Sequence, residues 1–306
     1  MDLDDKEFYN QASEAKLDWK AHWFGGKDND ETLIPIVMRW QKKRMLTPDG
    51  LVGPVTYRRA YTEQKSRQNE KEEPVVLAEG EKAIVYNGKK FPIKWDKVVL
   101  WTDENPGIDL PKKGSYYEYN EDEDRKIDLF VNHWDATLSA KHCSKILNRR
   151  NLSVHFCLDN DGTIYQLVDM QHAAKHAGKA NRKSVGVEIS NAFYPKYQKY
   201  YVRQGLEERP VLKDIKVHGR KLQDFTGFYP VQLEALKALW AAVSEATGIP
   251  LESPLHPDGN PVEGVHRKSA RGAFSGFISH YHISRRKIDC AGLEIHKMIE
   301  EIKNES

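Results

Sequence analysis

Apolar and polar residues alternate with two different periods along the chain, and the change of period divides it into regions. Near the N-terminus, Leu33, Val37 and Trp40 recur at helical spacing. The segment 49–54 combines an Asp-Gly pair with a Gly-Pro pair, which is typical of a turn, and its proline suits the first turn of a second helix. Residues 1–61 are therefore predicted to form a small helical module.

The next two regions read differently. Residues 62–73 contain no apolar residue and are mostly charged, which predicts a solvated linker unless they extend the preceding helix. Residues 74–126 contain short apolar runs typical of strands, and Asn87 with Gly88 marks a hairpin. This β-rich connecting segment either extends the sheet of the following domain or forms a small bridging subdomain.

Residues 127–306 alternate between strand and helix patterns, which predicts an α/β domain. The clearest helix begins near Pro230 and ends at Gly248, and Ser139 is positioned to cap an earlier one. The predicted strands are 129–132, 154–158, 163–168, 184–189 and 277–279, and a terminal helix spans 294–302.

Composition narrows the class of protein. The chain has 306 residues, of which 39% are apolar, and a formal charge of only +2, so its charge gives no case for nucleic-acid binding. Three cysteines (Cys143, Cys157 and Cys290) are too few for a disulfide framework, and we expect Cys143 and Cys157 to be reduced and buried. No run of 18 apolar residues and no secretory signal are visible, so we expect a soluble protein made in the cytoplasm.

Two distant segments carry the candidate chemistry. Each is a short apolar strand that ends in a histidine, His133 in the first and His280 in the second, and Lys287, Asp289 and Cys290 follow within ten residues of His280. A zinc site with one open position needs three neutral or anionic ligands on rigid elements. A lysine beside it would supply positive charge where an oxyanion develops. The combination indicates metal-assisted hydrolysis.

Five segments follow one another along the chain: 131–133, 154–164, 175–178, 186–189 and 279–289. In this order they resemble the type-2 N-acetylmuramoyl-L-alanine amidases, the zinc amidase fold of phage lysins, bacterial muropeptide amidases and animal peptidoglycan recognition proteins. The resemblance covers about residues 127–300 and implies a central mixed β-sheet flanked by helices, a Zn²⁺ cofactor and peptidoglycan, or a muramyl peptide, as the partner.

The resemblance implies the ligands of the metal. His133 and His280 match the two zinc histidines, and Asp289 matches the third ligand best because Lys287 stands two residues before it. A second register pairs His282 with Cys290 and keeps the spacing of the cysteine-type members, but it leaves isoleucine at the lysine position. Zinc accepts either oxygen or thiolate, so the second register stays open.

The resemblance also implies a mechanism. Glu188 matches the strand glutamate that accepts a proton from the water that zinc activates, and Lys287 helps to stabilise the oxyanion. A glutamate at the end of a buried strand is expected to have a raised pKa. His176 matches a residue of the substrate groove, and Arg285 with Arg286 are candidates to grip carboxylates of the peptide.

Residues 1–61 resemble, more weakly, a three-helix peptidoglycan-binding module, which would hold the enzyme on its polymer. The whole chain is therefore predicted to hydrolyse the amide bond between N-acetylmuramic acid and L-alanine, as an endolysin or autolysin that reaches the cell wall after release or non-classical export. The alternatives are a non-catalytic peptidoglycan recognition protein and a cytoplasmic muropeptide-recycling amidase. The sequence leaves the oligomeric state open.

Overall fold

The contacts of the chain divide it into two units, Met1–Pro74 and Val75–Ser306. The computed structural model describes the backbone of residues 65–71, and the backbone and side chains of residues 2–26, 33–64, 80–120, 123 and 125–305.

The N-terminal unit is helical, as predicted. Its helices are α1 (Leu3–Leu17), α2 (Ile34–Lys43) and α3 (Pro54–Lys71), with a 3₁₀ turn at Ala21–Phe24. The buried core of this unit is aromatic and aliphatic, and consists of Trp19, Phe24, Val37, Trp40, Val52 and Ala60.

Gln41 organises the turn that leads into α3. Its Nε2 donates to Asp49 Oδ1 at 2.8 Å and to Thr56 Oγ1 at 3.0 Å, and its Oε1 accepts from the Gly50 amide at 2.9 Å. Gly50 has a φ of +77°, a conformation that glycine adopts without strain. Helix α3 continues to Lys71, which is the extension of the preceding helix that the charged sequence allows; residues 72 and 73 lie outside the described residues.

The second unit contains strands throughout its length and helices mainly in its later part. Its strands are β1 (Ala83–Tyr86), β2 (Lys89–Pro92), β3 (Val98–Leu100), β4 (Tyr116–Tyr117), β5 (Leu129–Trp134), β6 (Phe156–Leu158), β7 (Ile164–Gln166), β8 (Ala173–Ala174), β9 (Ser184–Ile189), β10 (Val211–Leu212), β11 (Lys216–Val217), β12 (Arg220–Lys221), β13 (Phe225–Thr226) and β14 (Gly276–Ser279). Its helices are α4 (Ala140–Arg149), α5 (Gln198–Arg203), α6 (Pro230–Thr247), α7 (Arg267–Ala270) and α8 (Ile295–Glu305), and 3₁₀ turns lie at Gly178–Lys183, Pro195–Tyr197 and His280–His282.

Six strands form the central sheet, in the order β14-β5-β9-β6-β7-β3. Neighbouring strands are parallel except β6 and β7, which form the predicted antiparallel hairpin. The sheet is therefore mixed and is flanked by helices, which confirms the predicted fold class.

Each face of the sheet packs against helices. On one face, Trp240 of α6 donates to Asn132 Oδ1 at 3.2 Å and packs against the rings of Phe130 and Phe277. On the other face lies α4, which begins after Ser139; the Ser139 hydroxyl accepts from the amide of His142, as predicted. Cys143 of α4 and Cys157 of β6 contact each other. Both are buried and free, as is Cys290, which agrees with the expected reduced state of Cys143 and Cys157.

The described part of residues 74–126 belongs to this sheet unit. Strand β3 pairs with β7 at the sheet edge, and the Gln166 side chain bonds both the amide and the carbonyl of Val85 at 2.7 Å. The β1–β2 hairpin turns at Asn87 and Gly88, as predicted, and both amides donate to Asp169. The segment thus extends the sheet through β3, the first of the two possibilities; residues 74–79 lie outside the described residues.

Among the described helices, none combines the length and the apolar character that a membrane crossing requires.

Candidate metal centre and catalytic cavity

Three parallel strands bring the candidate residues to one edge of the sheet. Strands β14, β5 and β9 are neighbours, and their carboxyl ends meet because parallel strands point the same way. His133 of β5 lies opposite Glu188 of β9 in the register, so both side chains lie on the same face. His280 follows the last residue of β14 directly.

The side chains of His133, His280 and Asp289 converge into one buried cluster. Both histidine Nδ1 atoms lie 3.0 Å from Asp289 Oδ2, and the two ring centroids are 4.5 Å apart. The exposed fractions are 2%, 6% and 9% for these three residues, and their ligand atoms lie within 4.8 Å of one another. Two imidazole nitrogens and one carboxylate oxygen form a donor set that suits zinc with an open position.

The alternative register does not converge in this way. The Nδ1 of His282 accepts from the Ser279 amide at 2.9 Å, and its Nε2 donates to the Val262 carbonyl at 2.8 Å, so the main chain occupies both nitrogens. Cys290 is fully buried in the apolar core. The structure therefore brings His280 and Asp289 to His133, and not His282 and Cys290.

Burial and pairing set the charge of the cluster. Burial lowers the pKa of His133 to about 4, despite the hydrogen bond with Asp289. Burial alone would raise the pKa of Asp289, but the hydrogen bonds with His133 and His280 outweigh it and hold that pKa below its ordinary value. The cluster consequently presents an ionised carboxylate beside a neutral imidazole at neutral pH, which is the protonation state that a metal ligand needs.

Glu188 faces a cavity of about 270 Å³, which is also lined by the cluster of His133, His280 and Asp289. Burial, followed by the negative charges of Asp135 and Asp289, raises the pKa of Glu188 well above its ordinary value, as the strand position predicted. A carboxyl group with a raised pKa can take up and release a proton near neutral pH.

A second cavity, of about 670 Å³, adjoins His280 and carries positive charge. It is lined by the exposed cations Lys179, Lys183, Arg271 and Lys287 and by no acidic side chain of the described chain. Lys287 lines both cavities. Arg285 and Arg286, predicted to reach the substrate, are exposed and line neither cavity.

His176 lines both cavities and also contacts His133 of the buried cluster. The sequence did not indicate this contact. Its Nδ1 lies 2.9 Å from His133 Nε2, and its ring passes over Gly186, where an added Cβ would lie 2.4 Å from the ring carbon Cε1. The glycine of β9 was a signal of this close approach, but the sequence alone does not say which side chain fills the space.

Two cations in the smaller cavity were not predicted as site residues. Arg150, which follows α4, and Lys175 line it together with Glu188. The Lys175 Nζ donates to the Gly114 carbonyl at 2.6 Å. Exposed cations are common on any surface, so no spacing in the sequence distinguishes these two.

The chain is similar to known proteins in sequence and in structure. A model of the N-acetylmuramoyl-L-alanine amidase family matches residues 123–291. Among solved structures, the chain is similar to the amidase LysC from Clostridium intestinale, with 13% identity and a TM-score of 0.36 over 68% of this chain and 96% of that chain.

Two further solved structures are similar at the same level. The hydrolase AmiA from Staphylococcus aureus has 13% identity and a TM-score of 0.40, over 69% of this chain and 84% of that chain. The peptidoglycan recognition protein PGRP-SA from Drosophila has 16% identity and a TM-score of 0.32, over 67% of this chain and 90% of that chain. No curated protein sequence matches the chain significantly.

We predict a specific acid sensitivity from His155, a buried histidine that bonds only the main chain. Its Nε2 donates to the His172 carbonyl at 2.9 Å and its Nδ1 accepts from the Gly186 amide at 3.1 Å. Burial lowers the pKa of His155 to about 3. Between about pH 6.5 and that value the unfolded chain binds a proton that the folded chain does not, so stability is lost as pH falls.

For metal-free protein in the presence of a chelator, His155→Gln should reduce the slope of unfolding free energy against pH in this window by up to about 1.4 kcal/mol per pH unit. Urea unfolding at a series of pH values measures the slope. His142→Gln, at an exposed histidine of α4, is the control and should leave the slope unchanged. An identical slope for His155→Gln and the wild type would contradict the prediction.

Proposed function

Because the chain belongs to the N-acetylmuramoyl-L-alanine amidase family, we propose that it is a zinc-dependent hydrolase of the amide bond between N-acetylmuramic acid and L-alanine in peptidoglycan. Its task would be lysis or remodelling of the bacterial cell wall. The buried cluster of His133, His280 and Asp289, with Glu188 directly beside it in the sheet, carries this proposal.

The donor set fits the metal. His133 and His280 would hold Zn²⁺ through Nδ1, the atoms that face Asp289, and Asp289 would hold it through its carboxylate. When bound, zinc supplies a Lewis acid that polarises the scissile carbonyl and lowers the pKa of a water molecule.

Glu188 would move the proton. As a carboxylate it accepts a proton from the water that attacks the carbonyl carbon, and it then donates this proton to the amide nitrogen as the C–N bond breaks. The products are a lactyl carboxylic acid and the free amine of L-alanine. A raised pKa matches this double role, because Glu188 must first hold and then release the proton within one cycle.

Lys287 and the larger cavity would bind the charged parts of the reaction. The positive charge of Lys287 acts on both His133 and Glu188, so it lies where an oxyanion at the carbonyl would be stabilised. The cations of the larger cavity suit the carboxylates of the peptide, whereas the glycan strand beside the scissile bond offers no such charge.

The N-terminal unit would hold the enzyme on the polymer, and a cavity of about 710 Å³ on this unit supports the idea. Its lining combines the half-buried Trp23 with the exposed cations Arg39, Lys42 and Lys43. Trp40 also lines it but belongs to the buried core. Aromatic rings provide flat apolar surface for sugars or peptides, and the cations suit carboxylates. Attachment through a second site raises the local concentration of substrate at the first.

The metal ligands make the first prediction of this proposal. The wild type should bind about one zinc ion per chain, Asp289→Ala should lose it, and Cys290→Ser should keep it, because only Asp289 lies with both histidines. Atomic absorption of protein dialysed against zinc measures the content. The opposite pattern, with zinc lost from Cys290→Ser alone, would assign the site to His282 and Cys290.

The second prediction concerns the role of Glu188. Glu188→Gln should retain zinc but release new L-alanine amines from purified peptidoglycan at least about 100-fold more slowly, because the amide cannot accept the proton. The wild-type rate should fall as pH decreases through the raised pKa of Glu188, since the base must be ionised. Glu208→Gln, at an exposed glutamate, is the control. A wild type that holds zinc and binds walls but releases no amine would be a recognition protein instead.

The third prediction concerns the N-terminal unit. In full-length protein that also carries Glu188→Gln, the double substitution of Arg39 and Lys43 by glutamate should weaken cosedimentation with insoluble peptidoglycan several-fold, because it reverses the charge of the cavity. Lys16→Glu, at an exposed lysine of α1 outside that cavity lining, is the matched control. Equal cosedimentation of all three proteins would exclude this cavity as the attachment site.

A further inference from the structure

A chain of hydrogen-bonding groups leads away from His133 on the side of its ring opposite Asp289. His133 uses Nδ1 toward Asp289 and Nε2 toward His176 Nδ1, at 3.0 and 2.9 Å. The other nitrogen of His176, Nε2, lies 3.2 Å from Ser184 Oγ, which in turn lies 2.9 Å from the Ala180 carbonyl oxygen. Four polar groups are thus connected from Asp289 to the main chain.

This chain allows two proton arrangements. In the first, the Ser184 hydroxyl donates to the Ala180 carbonyl and accepts from His176 Nε2–H; His176 Nδ1 then accepts from His133 Nε2–H, and His133 Nδ1 carries no proton. In the second, the hydroxyl turns to donate to His176 Nε2, and His133 Nδ1–H donates to Asp289. Both arrangements keep the two imidazoles neutral and give a partner to each of their nitrogens except His133 Nδ1, which has one only in the second.

The two arrangements differ in what they offer Asp289. In the first, a lone pair of His133 Nδ1 faces a carboxylate oxygen at 3.0 Å, and these two acceptors repel each other unless a cation lies between them. In the second, a proton occupies that place. Conversion of the second arrangement into the first passes the Ser184 proton to His176 Nε2 and the His176 Nδ1 proton to His133 Nε2. The Nδ1 proton of His133 leaves to solvent, and a proton from solvent replaces the one that Ser184 has passed on. Each imidazole is therefore neutral before and after, and a hydrogen-bonded site becomes a ligand site.

We propose that His176 and Ser184 are positioning residues that set the tautomer of His133, so that its Nδ1 faces Asp289 without a proton when the cluster binds a divalent metal. This role rests on the proposed metal site and is independent of which bond the enzyme hydrolyses. Partners of metal-bound histidines in other proteins fix the ring and its tautomer in the same way.

The surroundings of His176 hold it in this place. The amide of His176 and that of Ala177 both donate to Asn181 Oδ1, at 3.1 and 2.6 Å. The buried guanidinium of Arg125 donates to the carbonyls of Asn181 and Ser184, at 3.2 and 2.6 Å. The ring itself occupies the space above Gly186. The segment therefore has little freedom to move His176 away from His133.

The test is zinc affinity, measured on the full-length chain by competition with a chelating dye. His176→Phe keeps a ring but removes both nitrogens, so the His133 Nε2–H has no acceptor; the zinc dissociation constant should rise about 10- to 100-fold. His176→Gln offers an amide oxygen as acceptor and should recover part of this loss. Ser184→Ala should raise the constant less than His176→Phe.

His155→Gln is the matched control, because the His155 ring lies 5.7 Å from that of His176 but bonds only the main chain. It should leave the zinc dissociation constant within about twofold of the wild type if the role is specific to the chain of groups described. Circular dichroism of each variant establishes that the fold is retained.

A second measurement needs no variant. Nitrogen-15 spectra of the zinc-loaded wild type should show His133 protonated at Nε2 and coordinated through Nδ1. Coordination through Nε2, an unchanged zinc affinity of folded His176→Phe, or a wild type that binds no zinc would each overturn the proposal. Amine release from peptidoglycan is assayed separately: a chain that binds zinc in a His176-dependent manner but releases no amine would contradict the proposed function and support this one.

Discussion

The register between β5 and its two parallel neighbours is the constraint on which the rest of the site depends. It places His133 opposite Glu188 on one side and lets His280 follow β14 on the other. A slip of one residue would turn His133 toward α6 and bring Asn132, which bonds Trp240, to the cavity. Packing of the opposite face, where Phe130 and Phe277 contact Trp240, therefore fixes the chemistry of this face.

Desolvation shifts the pKa values of two groups of the site, His133 and Glu188, in opposite directions. It lowers the pKa of His133 and raises that of Glu188, so the same buried surroundings keep a ligand neutral and a carboxyl group close to protonation. Asp289 escapes this trend because two imidazoles share one of its oxygens. One buried edge of the sheet thus brings together an ionised carboxylate, a neutral imidazole and a carboxyl group with a raised pKa.

Patterns within one element were predictable from the sequence, and contacts between distant loops were not. The strand that ends at His133, the hairpin after Val154 and the helix that stops at Gly248 all follow from local periodicity and turn residues. Adjacent residues such as Asp289 and Cys290 cannot be distinguished in this way, because the fold decides which of them turns toward His133. The contact of His176 with His133 depends on Arg125 and Asn181, more than fifty residues apart in the chain, and no local pattern encodes it.

Strand β3 affects which residues the sheet unit needs in order to fold. It covers the edge of β7 and belongs to a segment that precedes the residues matched by the family model, while α8 follows them. Without that segment β7 would become an open edge, with unpaired amides and carbonyls ready to recruit a strand from another molecule, and the buried Gln166 would lose both bonds to Val85. The residues matched by the family model therefore do not cover their own sheet edge in this chain; the segment that precedes them does so.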